Sequence, residues 1–212
     1  MASSAAVDEA KHGFSRSEMY KENLAGTVDA YDRHVFLCYK NHSVWPPRIE
    51  ASEADPLPKR VASVWKARKN DVVVKESNVD GFFDDVIVSG KEWSSGGEKS
   101  VLRGSHIFVC AHGSRDVRCG VCGPVLLDKL NEETQLRGLK DQISVVACSH
   151  VGGHKYGYVT PDDVPALLDR QIAKGEVIQK LWRLVLFVLF SIFYEIGNLN
   201  KLHFAFKDKS IK

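Results

Sequence analysis

The sequence predicts an α/β protein built from two β-α-β units, and three observations support this fold class. First, the pentapeptide HVFLC at residues 34–38 returns as HIFVC at residues 106–110, and each predicts a buried strand. Second, a polar loop and a helix-compatible stretch follow each pentapeptide. Third, a β-branched run then completes each unit, DVVVK at residues 71–75 and ISVVACSH at residues 143–150. The similarity of the two units indicates either a duplication or two strands of a common type.

The composition is that of a globular protein with a sizeable core. Of the 212 residues, 44% are hydrophobic and 26% are charged, which excludes a disordered chain, a collagen and a coiled coil. The net charge is only +2 and the charges are interspersed, so we expect no nucleic-acid binding. Five cysteines cannot all pair and are too few for a disulfide-rich secreted scaffold. This usage favours the cytoplasm, with the mitochondrion or the plastid as the alternative.

Both ends of the chain are predicted to lie outside the two units. The first 28 residues have no apolar core for a signal peptide, and we expect them to form a flexible leader. Near the other end, LVLFVLFSIFY at residues 184–194 is an apolar run of 11 residues, well short of the roughly 20 that cross a bilayer. The predicted organisation is therefore a leader over residues 1–28, a β-α-β unit over 29–100, a second domain over 101–183 and an atypical apolar tail over 184–212.

Two helices are predicted in the second domain. The first begins at Gly123-Pro124, since proline is tolerated in a first helical turn, and ends before the capping residue Gly138. The second begins at Thr160, a capping residue followed by proline. The predicted apolar stripe of the first helix consists of Val125, Leu126, Leu127, Leu130 and Leu136, and that of the second of Val164, Leu167, Leu168, Ile172, Ile178 and Leu181.

The connection between the two strands of the second domain predicts where a site would form. A strand-helix-strand segment of this length is nearly always a right-handed crossover between parallel strands, so both strands end at the same edge of the sheet. The first strand ends at Cys110, and the second ends near His150. Open α/β sheets bind their ligands at that edge, where we therefore expect the functional site.

Two cysteines and two histidines are predicted to meet at this edge. Eight residues lie between Cys110 and Cys119, and three lie between His150 and His154. Two thiolates and two imidazoles suit either a structural zinc ion or an iron–sulfur cluster with thiolates on one iron and imidazoles on the other. The gap between the cysteines is longer than in an ordinary zinc finger.

Cys122 supports a third interpretation. Together with Cys119 it forms a C-x-x-C pair at the predicted start of a helix, which is typical of a thiol-disulfide oxidoreductase. Cys148 lies in an alternating strand and is predicted to be a small buried hydrophobe. His106 and His112 lack ligand spacing, and we expect them to be structural or solvated. No catalytic residue is predicted, because no pair of carboxylates is placed for hydrolysis.

Three stretches of the chain resemble the sucrase/ferredoxin-like family, and its plant branch in particular. They are HIFVCAHGSRDVRCGVCGPVL, ACSHVGGHKY and YGYVTPDDVPALLD, and the similarity extends from about Gly13 to Trp182. The signature of this family is a pair of cysteines with eight residues between them, followed by H-x-x-x-H. The resemblance implies that residues 101–183 form a thioredoxin-like ferredoxin domain, preceded by a smaller related β-α-β unit.

The same resemblance implies a cofactor and a role. The cofactor is a [2Fe–2S] cluster held by Cys110, Cys119, His150 and His154, and Cys122 lies outside this ligand set. The role is electron transfer with a redox partner protein, as a carrier rather than an enzyme. Imidazole ligation in such a site raises the reduction potential and couples electron transfer to pH.

The chain departs from the family pattern in three places. Only residues 155–159 separate His154 from the predicted helix cap, too few for the β-hairpin of a thioredoxin-like domain. A similar shortening follows residues 71–75, and the tail after Trp182 is foreign to the family. We therefore expect an internally deleted form that lacks the usual hairpin. For its tail three alternatives are open: it replaces the hairpin in the core, it contacts a membrane surface, or it promotes aggregation.

Overall fold

The chain is divided into two compact units in a computed structural model. One unit comprises Met1–Asp32, His42–Val44 and Arg103–Val188, and the other comprises Arg33–Asn41, Trp45–Leu102 and Leu189–Lys212. The structure describes residues 9–28, 40–53, 58–59, 61–63, 84, 89, 104–149 and 155–183, together with the backbone of residues 33–37 and 202–206. Residues 71–75, predicted to form a strand, lie outside this described part.

The described strands and helices alternate in the first unit. In chain order the strands and helices that the structure describes are β1 (Arg33–Leu37), β2 (Ser105–Cys110), α1 (Val117–Leu136), β3 (Ile143–Cys148), α2 (Val164–Ala166) and β4 (Leu202–Phe206). Of these, β1 and β4 belong to the second unit. A π-helical segment, Leu167–Ile172, continues α2, and 3₁₀ turns cover His42–Val44, Ile49–Ala51, Pro161–Asp163 and Gln179–Leu181. This mixture of helix and strand is compatible with the predicted α/β class.

The strands β2 and β3 form a two-stranded parallel sheet, and α1 is the crossover between them. Ser105 pairs with Ile143 at one end of the sheet, and Cys110 pairs with Cys148 at the other. The predicted strand-helix-strand arrangement of this region is therefore confirmed, and both strands end at one edge.

The helix α1 begins six residues earlier than the sequence predicted. Its N-cap is Asp116, whose carboxylate accepts a hydrogen bond from the Arg118 backbone N–H at 2.9 Å. An aspartate cap satisfies exposed N–H groups of the first turn, and this is a stronger start signal than the proline on which the prediction relied. Pro124 consequently lies inside the helix. At the other end Gly138 has φ +66°, so its predicted role in the helix stop is confirmed.

A small apolar core lies between α1, the parallel sheet and α2. Its buried members are Leu130, Ile143, Val164 and Leu168, and Leu126, Ile107 and Ile172 pack against them. Two residues of the predicted stripe of α1 are instead exposed, Val125 at 45% and Leu136 at 73%. The period of an α-helix places positions 123, 126, 130 and 134 on one face, and neither exposed residue belongs to that series.

The second predicted helix is shorter than expected. Its start is as predicted, since the Thr160 N–H and hydroxyl both donate to the Asp163 carboxylate, at 2.9 Å and 2.8 Å. The helical segment stops at Gly175, whose φ of +72° reverses the chain. Ile178 and Leu181 were predicted to extend its apolar face. They lie instead in the loop and the 3₁₀ turn that follow the helical segment, and both are buried there.

Residues 9–28 pack against the rest of the first unit. The Gly26 N–H donates to the Arg183 carbonyl at 2.8 Å, and the Tyr20 hydroxyl donates to the Tyr158 carbonyl at 2.8 Å. Met19 and Val28 are buried. The flexible leader expected for residues 1–28 stays a prediction; residues 9–28 of it make these contacts, and residues 1–8 lie outside the described residues.

No β-strand lies in the described residues between β3 and the Pro161–Asp163 turn. Instead, residues 155–157 pair with residues 181–183. The Arg183 N–H donates to the Lys155 carbonyl at 3.1 Å, and the Gly157 N–H donates to the Leu181 carbonyl at 2.9 Å. Among the described helices, none combines the length and the apolar composition needed to span a membrane.

The second unit contains a two-stranded antiparallel sheet. Here β1 pairs with β4, with Arg33 opposite Phe206 and Leu37 opposite Leu202. The predicted strand at residues 34–38 is thus present as β1. Its partner comes from the apolar tail, for which the sequence predicted no strand, and the rest of residues 184–212 lies outside the described residues.

Candidate metal centre

The carboxyl edge of the parallel sheet brings two cysteines together. Cys110 and Cys148 are the last residues of β2 and β3 and are paired in the ladder. The ladder extends one step further, because the Ala111 N–H donates to the Cys148 carbonyl at 3.1 Å. Paired residues of parallel strands project to the same face of the sheet, so both side chains lie on one side.

Glycines allow the start of α1 to approach this edge closely. A Cβ atom on Gly123 would lie 2.4 Å from the Cys110 carbonyl oxygen, and one on Gly120 would lie 2.6 Å from the Gly113 Cα. Both distances are shorter than any ordinary carbon contact, so only glycine fits at these two positions of α1. The helix turn that contains Cys119 is thereby held against the end of β2.

This approach places the thiols of Cys110 and Cys119 in contact. The pKa of Cys119 is raised far above its ordinary value, first by a hydrogen bond with Cys110, then by burial and by the negative charges of Cys110 and Asp116. A thiol that holds its proton this firmly loses it readily only to a cation, since a coordinated thiol is deprotonated outright. The structure therefore brings together the two cysteines of the predicted ligand set.

Cys148 is buried beside this pair, as its alternating strand predicted. Burial raises its pKa to about 12, and the neighbouring Cys110 adds to the shift. None of the four described cysteines forms a disulfide bond. A buried and protonated thiol is an inert packing group rather than a nucleophile.

Cys122 contacts the N-terminal segment instead of the cysteine pair. Its Sγ donates to the His12 carbonyl at 3.4 Å and accepts from Arg16 Nη1 at 3.6 Å. Burial raises its pKa, although Arg16 acts in the opposite direction. A catalytic dithiol needs a cysteine of lowered pKa, and Cys122 has the reverse.

The two histidines of the predicted set, His150 and His154, lie outside the described residues. Their described neighbours are Ser149, which follows β3, and Lys155, whose pKa is lowered by burial. Within the described part of the chain, no group of three or more His, Cys, Asp or Glu side chains is arranged to hold a metal ion. The described part includes both cysteines of the set and neither histidine.

His112 is a polar residue of this edge to which the sequence analysis gave no role. It is completely buried, and its Nδ1 shares a hydrogen bond with Ser149 Oγ at 2.8 Å. Spacing to other ligands gave no reason to select it. Its position two residues after Cys110, at the carboxyl edge, was the available signal.

Comparison with known proteins gives a family for this chain. Residues 63–157 match the family model described as sucrase/ferredoxin-like, a range that includes β2, α1 and β3 and both cysteines in contact. Over these residues the chain is similar to the sucrase/ferredoxin-like family. The predicted resemblance is thus confirmed at the level of the family. No solved structure matches the chain.

Three curated relatives of this chain come from yeasts. Altered inheritance of mitochondria protein 32 of Debaryomyces hansenii is 27% identical over 187 residues, which cover 78% of this chain and 58% of the relative. The protein of the same name from Meyerozyma guilliermondii is 32% identical over 36% of this chain and 33% of the relative. Actin patches distal protein 1 of Saccharomyces cerevisiae is 28% identical over 33% of this chain and 30% of the relative. The chain thus spans less than two thirds of each.

Proposed function

We propose that this chain is an electron-transfer protein that binds a [2Fe–2S] cluster through Cys110, Cys119, His150 and His154. The observation that carries the proposal is the contact between the Cys110 and Cys119 thiols at the carboxyl edge of the parallel sheet. Two thiols held this close are placed to bind one metal ion together. Similarity to a family described as sucrase/ferredoxin-like supports the same cofactor.

The donor set fits an iron–sulfur cluster on chemical grounds. Thiolates and imidazoles are the protein ligands of such clusters, and a cluster with both accepts and returns one electron at a higher potential than one held by four thiolates. Cys110 ends a strand and Cys119 lies in the first turn of a capped helix, so both sulfurs are on rigid elements. Rigid ligands hold a metal in a defined geometry while its charge changes.

The rest of the predicted organisation belongs to the same proposal. We infer that residues 101–183 form a thioredoxin-like ferredoxin domain that lacks the usual hairpin. We also infer that the chain is a shortened, plant-type member of the family. The cysteine usage supports a cytoplasmic location, and the name of the Debaryomyces relative supports the mitochondrial alternative. The partner in this proposal is another redox protein.

Two other functions use the same sulfurs. A structural zinc site would also use Cys110 and Cys119, and metal analysis distinguishes it from a cluster. A thiol-disulfide oxidoreductase would use Cys119 and Cys122, but these thiols have different partners, Cys110 for the first and the N-terminal segment for the second. The contacts therefore favour a metal site over the dithiol enzyme, and the similarity to a ferredoxin-like family favours the cluster over zinc.

The test is to purify the protein without oxygen and to measure iron, acid-labile sulfide, zinc and the visible spectrum on one sample. The proposal expects about two irons and two sulfides per chain, with broad visible absorption. One zinc without sulfide would replace it with the structural zinc site. Insulin reduction by a colourless, metal-free protein would replace it with the dithiol enzyme.

A further inference from the structure

His112 has contacts on both sides of the proposed cluster site. Its side chain is fully buried, with 0% of its surface exposed, in the loop that follows β2. The ring nitrogen Nδ1 and the Ser149 hydroxyl share a hydrogen bond at 2.8 Å. The carbonyl of His112 accepts hydrogen bonds from the backbone N–H groups of Arg115 at 3.2 Å and Asp116 at 3.0 Å.

The two carbonyl contacts organise the loop that leads into α1. Asp116 is the N-cap of that helix, so the turn closed on the His112 carbonyl determines where the helix starts. Cys119 lies in the first turn of the helix, three residues after the cap. The backbone of His112 is thus tied to the position of one cysteine ligand.

The ring of His112 contacts the residue that follows β3. Ser149 comes directly after the last residue of β3 and directly before His150, the first histidine of the proposed ligand set. A buried imidazole without a hydrogen-bond partner costs roughly 1–3 kcal/mol, so the protein favours conformations in which Ser149 keeps this contact. The ring of His112 therefore restrains the residue next to a proposed ligand.

We infer that His112, through Ser149, is a positioning residue that ties the end of β3, next to the proposed ligand His150, to the loop that leads to Cys119. This inference rests on the proposed function for its ligand set. Groups that orient metal ligands from outside the coordination sphere typically change metal affinity by about 10- to 100-fold when removed. His112 itself is not a ligand in this scheme.

The experiment removes the hydroxyl partner rather than the histidine, because replacing a fully buried ring would endanger the fold. The variants are Ser149→Ala, Ser149→Thr, which keeps a hydroxyl, and the control Ser144→Ala, which removes an exposed hydroxyl from β3. For each, one measures the rate of iron release to a chelator and the visible circular dichroism. In metal-free samples, one measures hydrogen exchange in the segment that contains His150 and His154.

The expected result is a roughly 10- to 100-fold faster release of iron from Ser149→Ala, with altered visible dichroism and faster exchange in the histidine segment. Ser149→Thr and Ser144→Ala should match the wild type. Rescue by threonine distinguishes a positioning hydroxyl from a general loss of packing. Iron release from Ser149→Ala at the wild-type rate, or a failure of Ser149→Thr to restore it, would overturn the inference.

The wild-type sample separates this inference from the proposed function. If the wild type holds no iron or sulfide, the proposed function fails, and hydrogen exchange alone decides the role of His112. Faster exchange in Ser149→Ala alone among the variants then supports positioning of the loop. Unchanged exchange in Ser149→Ala overturns it.

Discussion

A metal ion that binds Cys110 and Cys119 must displace the proton of Cys119. Their mutual hydrogen bond and their burial raise the pKa of Cys119, so that thiol stays protonated unless a cation takes the proton's place. Cys122, three residues further along the helix, has the His12 carbonyl and Arg16 as its partners. Two cysteines close in sequence therefore have different partners, and we expect different roles.

Serine variants of these two cysteines should separate the roles. Cys119→Ser is expected to lower bound iron at least 10-fold, because it removes one of two adjoining thiols. Cys122→Ser should keep the wild-type iron content. The measurement is iron and sulfide per chain, with far-ultraviolet circular dichroism to check the fold. Equal loss of iron from both variants would contradict this assignment.

Asp163 should contribute stability that depends on pH. Burial alone would raise its pKa, but hydrogen bonds from Lys180 and Thr160 outweigh burial and lower the pKa below its ordinary value of 3.8. The folded state thus binds this proton less readily than the unfolded state. The contribution is present above about pH 4 and is lost as the pH falls through the lowered folded pKa.

Asp163→Asn is accordingly expected to lower the free energy of unfolding by about 1–2 kcal/mol at pH 7, a typical effect for a lost cap. The difference from the wild type should shrink as the pH falls below about 4. Asp162→Asn, at the exposed neighbouring position, is the matched control and should change stability little. Denaturant unfolding at several pH values makes the comparison, and a pH-independent difference would refute it.

At the scale of single elements, the sequence predicted strands better than helix ends. The strands β1, β2 and β3 were each visible as short apolar runs that need only local information. The start of α1 was misplaced because Asp116 and Pro124 both resemble start signals, and only the aspartate makes the capping bond. The role of Gly175 in ending the second helical segment was missed because the apolar period continues past it to Ile178 and Leu181.

The close packing of α1 on β2 should be sensitive to a single methyl group. In Gly123→Ala the new Cβ would lie 2.4 Å from the Cys110 carbonyl oxygen, so the helix must move away from the strand. We expect a loss of about 1–3 kcal/mol in stability and a reduced iron content.

Gly138→Ala is the control for this prediction. It has no atom within 4 Å of the added methyl, but a φ of +66°. It should cost about 1 kcal/mol through backbone strain and leave the iron content unchanged. Thermal unfolding and iron analysis test both variants, and normal iron in a destabilised Gly123→Ala would contradict the packing account.

At the scale of the whole molecule, the chain assembles each unit from segments that are distant in sequence. The first unit joins residues 9–28 to the region around the proposed site, and the second pairs β1 with β4 from the tail. Local patterns could not predict either association, because both depend on contacts across more than a hundred residues. The ligand set stays a prediction, but the meeting of Cys110 and the start of α1 at one edge was predictable, because a parallel crossover produces it by a general rule.

Arg16 should hold the N-terminal segment in place. Its Nη1 donates to the His12 carbonyl at 3.0 Å and the Gly13 carbonyl at 2.6 Å as well as to Cys122 Sγ. Arg16→Ala is expected to speed chymotrypsin cleavage after Phe14 and Tyr20 several-fold, because local opening becomes easier. Lys21→Ala, at an exposed position of the same segment, should be cleaved at the wild-type rate. Equal rates for all three proteins would show that Arg16 has no such role.

The central claim is that two thiolates bind one iron and two imidazoles bind the other. Mössbauer spectroscopy of the protein enriched in ⁵⁷Fe tests it most directly, because this method reports the ligands of each iron separately. The account predicts two inequivalent iron sites in equal amount, with the extra electron of the reduced protein on the imidazole-ligated iron. Two equivalent iron sites, or iron without a cluster, would contradict it.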